Sequence, residues 1–398
     1  MTAAYDVIVV GASLAGLSVV RELRAAGFTG AITVVGDETH LPYDRPPLSK
    51  AFLDAECDLG LVPQDDLDAL SVHWLLGKPA TNVTSGPDGR HTVEIAGAPA
   101  LTAEVVVLAT GARARRLPGC PQVAGVHTLR TLDDARALRQ SLQGGARLVV
   151  IGAGFVGAEV ASTAAAQGVD VTIVEACQKP LERPLGDVVA ASCTALHVVN
   201  GVRLLAGAAV DRLLCDEERV HGVLLTDGTE LAADTVVVGI GAQPNTEWLS
   251  HPGIVTGNGF RTDAFGRTTV AGIYSLGDCA ATFDPHLDAH HRSEHWTNAT
   301  AQAKTVAAAI TGGDRPAPAA PYFWSKQYGH QLQFAGYRTA GDTVRIVDGD
   351  PAAGAFVATY ERDGRVVAVF ARDNARLFTR YRKQIERDLR ESVIARAS

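Results

Sequence analysis

The sequence predicts an α/β protein, and three observations carry the prediction. Residues 7–10, Val-Ile-Val-Val, form a continuous apolar run that ends in Gly11-Ala12-Ser13-Leu14-Ala15-Gly16 and opens a pattern of helical spacing over 14–26. The same unit recurs as an apolar run at 148–151, the turn Gly152-Ala153-Gly154-Phe155-Val156-Gly157, and a helical pattern over 156–167. Alternating apolar patterns at 331–335, 344–347, 355–360 and 366–370 then precede a basic helical stretch, 374–390. Together these give two Rossmann-like dinucleotide-binding domains and a small α+β C-terminal domain.

Taken in order, Gly27 stops the first helix and 32–35 forms the second strand, with Asp37 and Glu38 just beyond it. A third run, 105–108, leads into Ala109-Thr110-Gly111-Ala112. In the second unit, 171–174 ends at Glu175, and 236–238 leads into Gly239-Ile240-Gly241-Ala242. Each half therefore closes with a strand that ends in a small-residue turn. The proline- and alanine-rich stretch 316–321 reads as a linker.

Each glycine turn has to bring a backbone close to a pyrophosphate and aim a helix N-terminus at it. Gly11 permits the tight turn and Gly16 the close packing of helix on strand. Ser13 holds the middle position and fits if its backbone angles are ordinary. Asp37 is favoured over Glu38 as the ribose ligand, though spacing alone does not separate them. The second turn has all three glycines, and Glu175 follows Gly157 by 18 residues, against an expected gap of about 20. A carboxylate there accepts both ribose hydroxyls and repels a 2′-phosphate. NADH is therefore favoured over NADPH, with Lys179 as the one nearby cation.

Two further stretches bear on chemistry. The run 268–278 ends a strand in Gly277-Asp278, whose carboxylate can hold a flavin ribityl hydroxyl. With the first turn and Ala109-Thr110-Gly111, it points to FAD. The stretch Pro42-Tyr43-Asp44-Arg45-Pro46-Pro47-Leu48-Ser49-Lys50 is stiffened by its prolines. Ser49 can cap a following helix, and Arg45 and Lys50 supply cations suited to a reduced flavin.

Bulk properties exclude other classes. The chain has 398 residues, 46% hydrophobic and 20% charged, with net charge -8, so it can bury a large core and shows no basic stripe for nucleic acid. Its six cysteines are scattered, with no CxxC pair, so neither a disulfide framework nor a zinc or iron-sulfur site is expected. No redox cysteine pair lies in 42–50, and Cys57 reads as an ordinary thiol. His286, His290, His291 and His295 include pairs four apart, but Pro285 favours a solvated loop over a metal site. The first strand begins so early that no signal peptide is expected, and no apolar run approaches the roughly 20 residues of a membrane span. A cytoplasmic location and no membrane partner are expected.

The Pro-Pro-Leu-Ser-Lys loop, the Gly-x-Gly-x-x-Gly-x-Glu turn ending at Glu159, Gly277-Asp278 and Trp296 together resemble the NADH-dependent ferredoxin reductases of oxygenase systems, over nearly the whole chain. The resemblance implies a glutathione-reductase-like fold. An FAD domain (1–113 and 246–318) is split around an NADH domain (114–245), with a C-terminal domain (319–398). It implies that Lys50 lies beside flavin N5, paired with Glu159, and that Trp296 packs near flavin and nicotinamide. It assigns Arg130 and Val83 to FAD, alongside Gly11, Ser13, Ala15, Gly16, Asp37, Glu38, Arg45, Ala109, Thr110, Gly111, Gly277 and Asp278. Gly152, Gly154, Phe155, Val156, Gly157, Glu159, Glu175 and Gly241 fall to NADH. The expected acceptor is a small iron-sulfur ferredoxin of the two-iron, two-sulfur kind that serves an oxygenase. Arg372, Arg376, Arg380, Arg382 and Lys383 are candidate docking cations. Alternatives are a rubredoxin or quinone reductase of the same fold, or an apoptosis-inducing-factor-like binding protein. A monomer or weak homodimer is expected.

Overall fold

The computed structural model describes residues 3–120, 123–143, 145–317 and 319–397, which form two compact units. The first comprises 1–44, 59–113 and 243–321; the second 45–58, 114–242 and 322–398.

The first unit is built on strand Ala3–Val10, flanked in parallel by Ile32–Val35 and Leu101–Leu108, with Val72–Leu75 beyond Ile32–Val35. Alternation along Ala3–Val10 explains its unbroken apolar run. Val7 and Val9 enter one cluster with Val19, Val20 and Leu23 of helix Leu14–Ala25, while Ile8 and Val10 enter another with Val106, Leu108 and Phe260. Both faces are buried, so no polar position is tolerated. Leu101–Leu108 changes partner along its length, pairing antiparallel with His91–Ile95 at its start and parallel with Ile273–Ser275 at its end. That second pairing carries the chain into the turn Gly277–Cys279 beside the first glycine turn.

The second unit repeats the plan. Strand Arg147–Ile151 is flanked in parallel by Asp170–Glu175 and Thr235–Val238, with helix Phe155–Ala166 crossing over. A three-stranded antiparallel sheet, Val210–Cys215, Val220–Leu225 and Glu230–Ala232, contributes Val220 and Val223 to the cluster around Val149 and Ile151. The C-terminal portion is a five-stranded antiparallel sheet carrying helix Ala375–Ala397. Its four expected strands are present as His330–Gly336, Thr343–Gly349, Phe356–Arg362 and Arg365–Arg372. A fifth, Tyr322–Gln327, was not expected, because its sequence opens on three aromatics in a row rather than alternating. The 283–295 stretch is likewise more ordered than a solvated loop: Ala280–Asp284 and Ala289–His291 pair as a hairpin.

Candidate functional site

In the first unit, small residues gather at the carboxyl ends of the parallel strands. Gly11 has φ +122°, and a Cβ there would lie 2.1 Å from the Ala109 carbonyl oxygen. A Cβ on Gly16 would lie 1.9 Å from the Gly11 oxygen, so helix and turn touch through bare backbone. Ser13 sits extended, at φ -115° and ψ -160°, so the turn needs no glycine at that position. Gly277, at φ +76°, is close enough to Ala15 that a Cβ would meet the alanine methyl at 2.9 Å. Its N–H donates to Gln302 Oε1 at 2.7 Å, which fixes the turn that presents Asp278. Thr110 and Gly111 are held by Asn245 through a 2.7 Å bond from Thr110 Oγ1 to its carbonyl and a 2.9 Å bond from its N–H to Gly111. These residues leave backbone and one partly exposed carboxylate facing the strand ends, which fits the pyrophosphate and ribityl chain of a dinucleotide.

Four residues assigned from sequence have their surroundings fixed here. Asp37 is exposed and caps its own turn by accepting the Glu38 N–H, while Glu38 accepts the Tyr43 hydroxyl at 2.5 Å. Trp296 opens helix Trp296–Thr311, is 37% exposed, and donates from Nε1 to Asp44 Oδ1 at 2.9 Å. Val83 is fully buried in strand Ala80–Ser85, within the cluster around Val93 and Phe260, so only its backbone can serve a ligand.

In the second unit, a cavity of about 490 Å³ opens over the glycine turn, lined by Gly152, Gly154, Glu175, Ile240 and Gly241 among others. A Cβ on Gly152 would strike the Gly239 oxygen at 2.4 Å, and one on Gly157 the Gly152 oxygen at 2.3 Å, so both glycines serve packing. Gly154 differs: a Cβ there meets nothing within 4 Å. It leads directly into helix Phe155–Ala166 and keeps room for a group approaching that N-terminus. Glu175 is braced on both oxygens, Oε2 by the Ala153 N–H and Oε1 by the Cys177 N–H, each at 2.8 Å. Val156 is 47% exposed on the first helical turn, whereas the Phe155 ring packs on Phe323 at 4.7 Å. Lys179, the cation weighed for a 2′-phosphate, is paired with Asp187 at 2.8 Å and Glu182 at 3.5 Å.

The same unit holds the 46–50 turn. Pro46–Ser49 forms a 3-10 turn before the short helix Ala51–Asp54. Ser49 does not cap that helix. Its hydroxyl instead donates to Glu159 Oε2 at 2.5 Å, because the turn faces helix Phe155–Ala166. Lys50 Nζ reaches the same oxygen at 2.6 Å and the Pro46 carbonyl at 2.8 Å. Glu159 is only 4% exposed, and its other oxygen accepts from Ser325 Oγ at 2.6 Å. Arg45 donates to the Arg130 carbonyl at 2.7 Å, and a capping box of Thr131 and Asp134 fixes the next helix. Ser325 and its neighbour Gln327 carried no sequence signal, since they sit on the strand that patterning missed.

The expected docking cations divide. Arg372 is buried, donating to Gly354 and Pro351 carbonyls and to Ser192. Arg382 is paired with Glu386 at 3.1 Å and lies over the Tyr322 ring. Arg376, Arg380 and Lys383 are exposed, and Arg387 and Arg390 continue the same face in steps of four and three. Beyond the histidine-bearing hairpin, at the start of helix Trp296–Thr311, burial pushes His295 down to about 4. Among the described residues no group of three or more His, Cys, Asp or Glu is placed to hold a metal ion. No helix among them is long and apolar enough to cross a membrane.

The family model described as pyridine nucleotide-disulphide oxidoreductase matches residues 5–303, and the one described as reductase C-terminal matches 322–396. The chain belongs to the pyridine nucleotide-disulphide oxidoreductase family. Within it, the chain is 39% identical over 355 residues to rhodocoxin reductase of Rhodococcus erythropolis, covering 88% of this chain and 82% of the relative. It is 38% identical over 378 residues to putidaredoxin reductase of Pseudomonas putida, covering 93% and 89%. The crystal structure of the covalent putidaredoxin reductase–putidaredoxin complex matches with a TM-score of 0.91 at 35% identity, over 97% of this chain and 94% of that one. The expected likeness to ferredoxin reductases of oxygenase systems is thereby borne out, as is the α/β fold with its added C-terminal portion. As a member of this family the protein is an oxidoreductase, a flavoprotein that uses FAD and NAD(P)H. The family name speaks of a disulphide, yet no cysteine lies in 42–50 of this chain; Lys50 and the buried Glu159 occupy that loop's contact with the helix.

Proposed function

We propose that the protein passes electrons from NADH through FAD, one at a time, to a small two-iron, two-sulfur ferredoxin that serves an oxygenase. The observation that carries the reading is the pairing of half-buried Lys50, in a loop without cysteines, with the buried Glu159. With no cysteine pair there to form a disulfide that could take two electrons from the flavin, electrons leave the flavin for an acceptor outside the chain. FAD supplies the step from two-electron donor to one-electron acceptor when bound.

The residues divide that work. Gly11, Ser13, Ala15, Gly16, Ala109, Thr110, Gly111, Gly277 and Asp278 hold FAD, with Asp37 or Glu38 at its ribose, Arg45 and Arg130 as supporting cations, and Trp296 over the reacting rings. Gly154, Val156 and Gly241 receive the NADH pyrophosphate and nicotinamide portion. Glu175, braced as an anion acceptor, takes the adenosine ribose and disfavours NADPH. Lys50 offers a cation to the reduced flavin, and Glu159 keeps it in place. We read the chain as the three segments 1–113 with 246–318, 114–245 and 319–398, working in the cytoplasm as a monomer or weak homodimer. The exposed cations Arg376, Arg380, Lys383, Arg387 and Arg390 offer an acidic ferredoxin a landing face on a chain whose net charge is -8.

The test is steady-state transfer from NADH to a panel of two-iron ferredoxins, a rubredoxin and soluble quinones. Preference for a ferredoxin supports the reading; faster turnover with rubredoxin or quinone replaces the acceptor. A purified chain without flavin absorbance removes the reading altogether.

A further inference from the structure

Strand Tyr322–Gln327 lies along helix Phe155–Ala166 in matched register. Phe323 packs on Phe155, Ser325 donates to Glu159, and the Tyr328 N–H donates to Ser162 Oγ at 2.6 Å. Residues 323, 325 and 327 share one face of the strand, so Gln327 lies next to Ser325 on the side that meets the helix. Its Nε2 donates to Ser325 Oγ at 3.0 Å. That bond settles the direction of the hydroxyl: Ser325 accepts from the amide and must give its proton to Glu159 Oε1. Ser325 is 0% and Gln327 1% exposed, and Gln327 Oε1 has no hydrogen-bond partner. An amide left with an unmet buried acceptor costs stability, which a hydrophobic residue would avoid. Such a cost is tolerated where the polar group has a task.

We propose that Ser325 and Gln327 are positioning residues for the Lys50–Glu159 pair. A buried carboxylate needs its lone pairs filled, or it turns and repartners. Ser49 and Lys50 share Oε2, and Ser325 alone fills Oε1 among the described residues. With Oε1 pinned, Oε2 faces Lys50 in one geometry, and the ammonium, tied also to the Pro46 carbonyl, is presented in one place. Lys326, between the two polar residues, is exposed and takes no part. The C-terminal portion thereby sets the aim of a cation that belongs to the 46–50 turn. The inference rests on the reading of Lys50 given above.

The experiment compares FAD-loaded wild type with Ser325→Ala, Ser325→Thr, Gln327→Leu and Lys50→Met. One readout is the midpoint potential of bound FAD, measured by equilibration with reference dyes. The other is single-turnover reduction by NADH, separating the limiting rate from half-saturation. Ser325→Ala is expected to make the potential more negative and to lower the limiting rate about tenfold, with half-saturation unchanged, since a loosened hydrogen bond to a charge acts on the reacting state. Ser325→Thr, which keeps the hydroxyl, restores both; Gln327→Leu gives a smaller change of the same sign. If Ser325→Ala fails to retain FAD, Gln327→Leu decides alone. A wild-type potential and limiting rate in the loaded variant, while Lys50→Met is impaired, overturn the inference. Normal reduction in Lys50→Met overturns the reading of Lys50, and this inference with it.

Discussion

Gly154 and Gly152 stand two residues apart in one turn and carry different burdens. Gly152 is a packing glycine: its φ is +103° and the Gly239 oxygen leaves no room for a side chain. Gly154 has an ordinary φ of -72° and open space where a Cβ would go. Gly154→Ala should therefore fold, keep FAD and melt normally, while a methyl in the cavity raises half-saturation for NADH about tenfold. Flavin content and NADH titration check both halves; an unchanged titration means the dinucleotide does not approach that glycine. Glu175 answers a different question. Both its oxygens accept backbone N–H groups, which holds its charge at the end of strand Asp170–Glu175. Glu175→Ala removes the ribose acceptor and the repulsion together. NADH should weaken by about 10–100-fold, the value of about 1.5–3 kcal/mol for hydrogen bonds to a charge, while NADPH changes little. The ratio of kcat/KM for the two cofactors measures it, and a ratio that does not move sinks the assignment.

Among the elements, the C-terminal helix shows how exposure refines a charge count. Sequence marks Arg372, Arg376, Arg380, Arg382 and Lys383 alike as cations of the C-terminal helix, but Arg372 ends strand Arg365–Arg372 and precedes that helix. Packing separates them: Arg372 is drawn into the sheet by Ser192 and two carbonyls, and Arg382 turns to Glu386 and Tyr322. The positions left outward follow a spacing of four and three, one face of a helix. Reversing three of them, Arg376→Glu, Arg380→Glu and Lys383→Glu together, should lower kcat/KM toward an acidic ferredoxin about tenfold at low salt, with the deficit shrinking at high salt. Reduction of a small artificial acceptor should be unaffected. A deficit that is equal at all salt concentrations argues against a charged docking face. The neighbouring strand Tyr322–Gln327 marks the limit of such reading. The parallel strands were legible because burial on both faces demands unbroken apolar runs, and the glycines because a turn and a close approach leave no alternative. Ser325 and Gln327 were not, because a polar side chain on a buried strand is explained only by the partner that tertiary structure brings to it.

Across the whole molecule, each unit holds a histidine whose surroundings lower its proton affinity, His197 buried and His295 half-buried. Desolvation lowers His197 in the second unit to about 4, where its Nδ1 shares a 2.7 Å hydrogen bond with the Tyr328 hydroxyl. Desolvation lowers His295 in the first to about 4 as well, against an opposing pull from Asp278. An unfolded histidine titrates near 6.5. Above that pH neither state holds the proton, and the two histidines leave stability unchanged. As pH falls from about 6.5 toward 4, the unfolded chain takes up protons that the native chain refuses. Stability must then drop, by up to about 1.4 kcal/mol per pH unit for each histidine, and level off below 4. A second loss comes from acids. Arg147 holds Asp234 down to about 2, so its contribution is present above the usual carboxylate range and is lost only as pH falls from 3.8 toward 2. Arg113 likewise holds Glu247 down to about 2, so its loss begins only as pH falls below 4.5, and melts above that pH isolate the histidine part. Melting followed between pH 8 and 4.5 should show the decline beginning near 6.5. His197→Asn, which lowers stability at pH 8 by disturbing the Tyr328 contact, should nevertheless lose less on acidification than wild type. If its acid decline runs parallel to the wild-type curve, His197 is protonated in the native state and the burial argument fails.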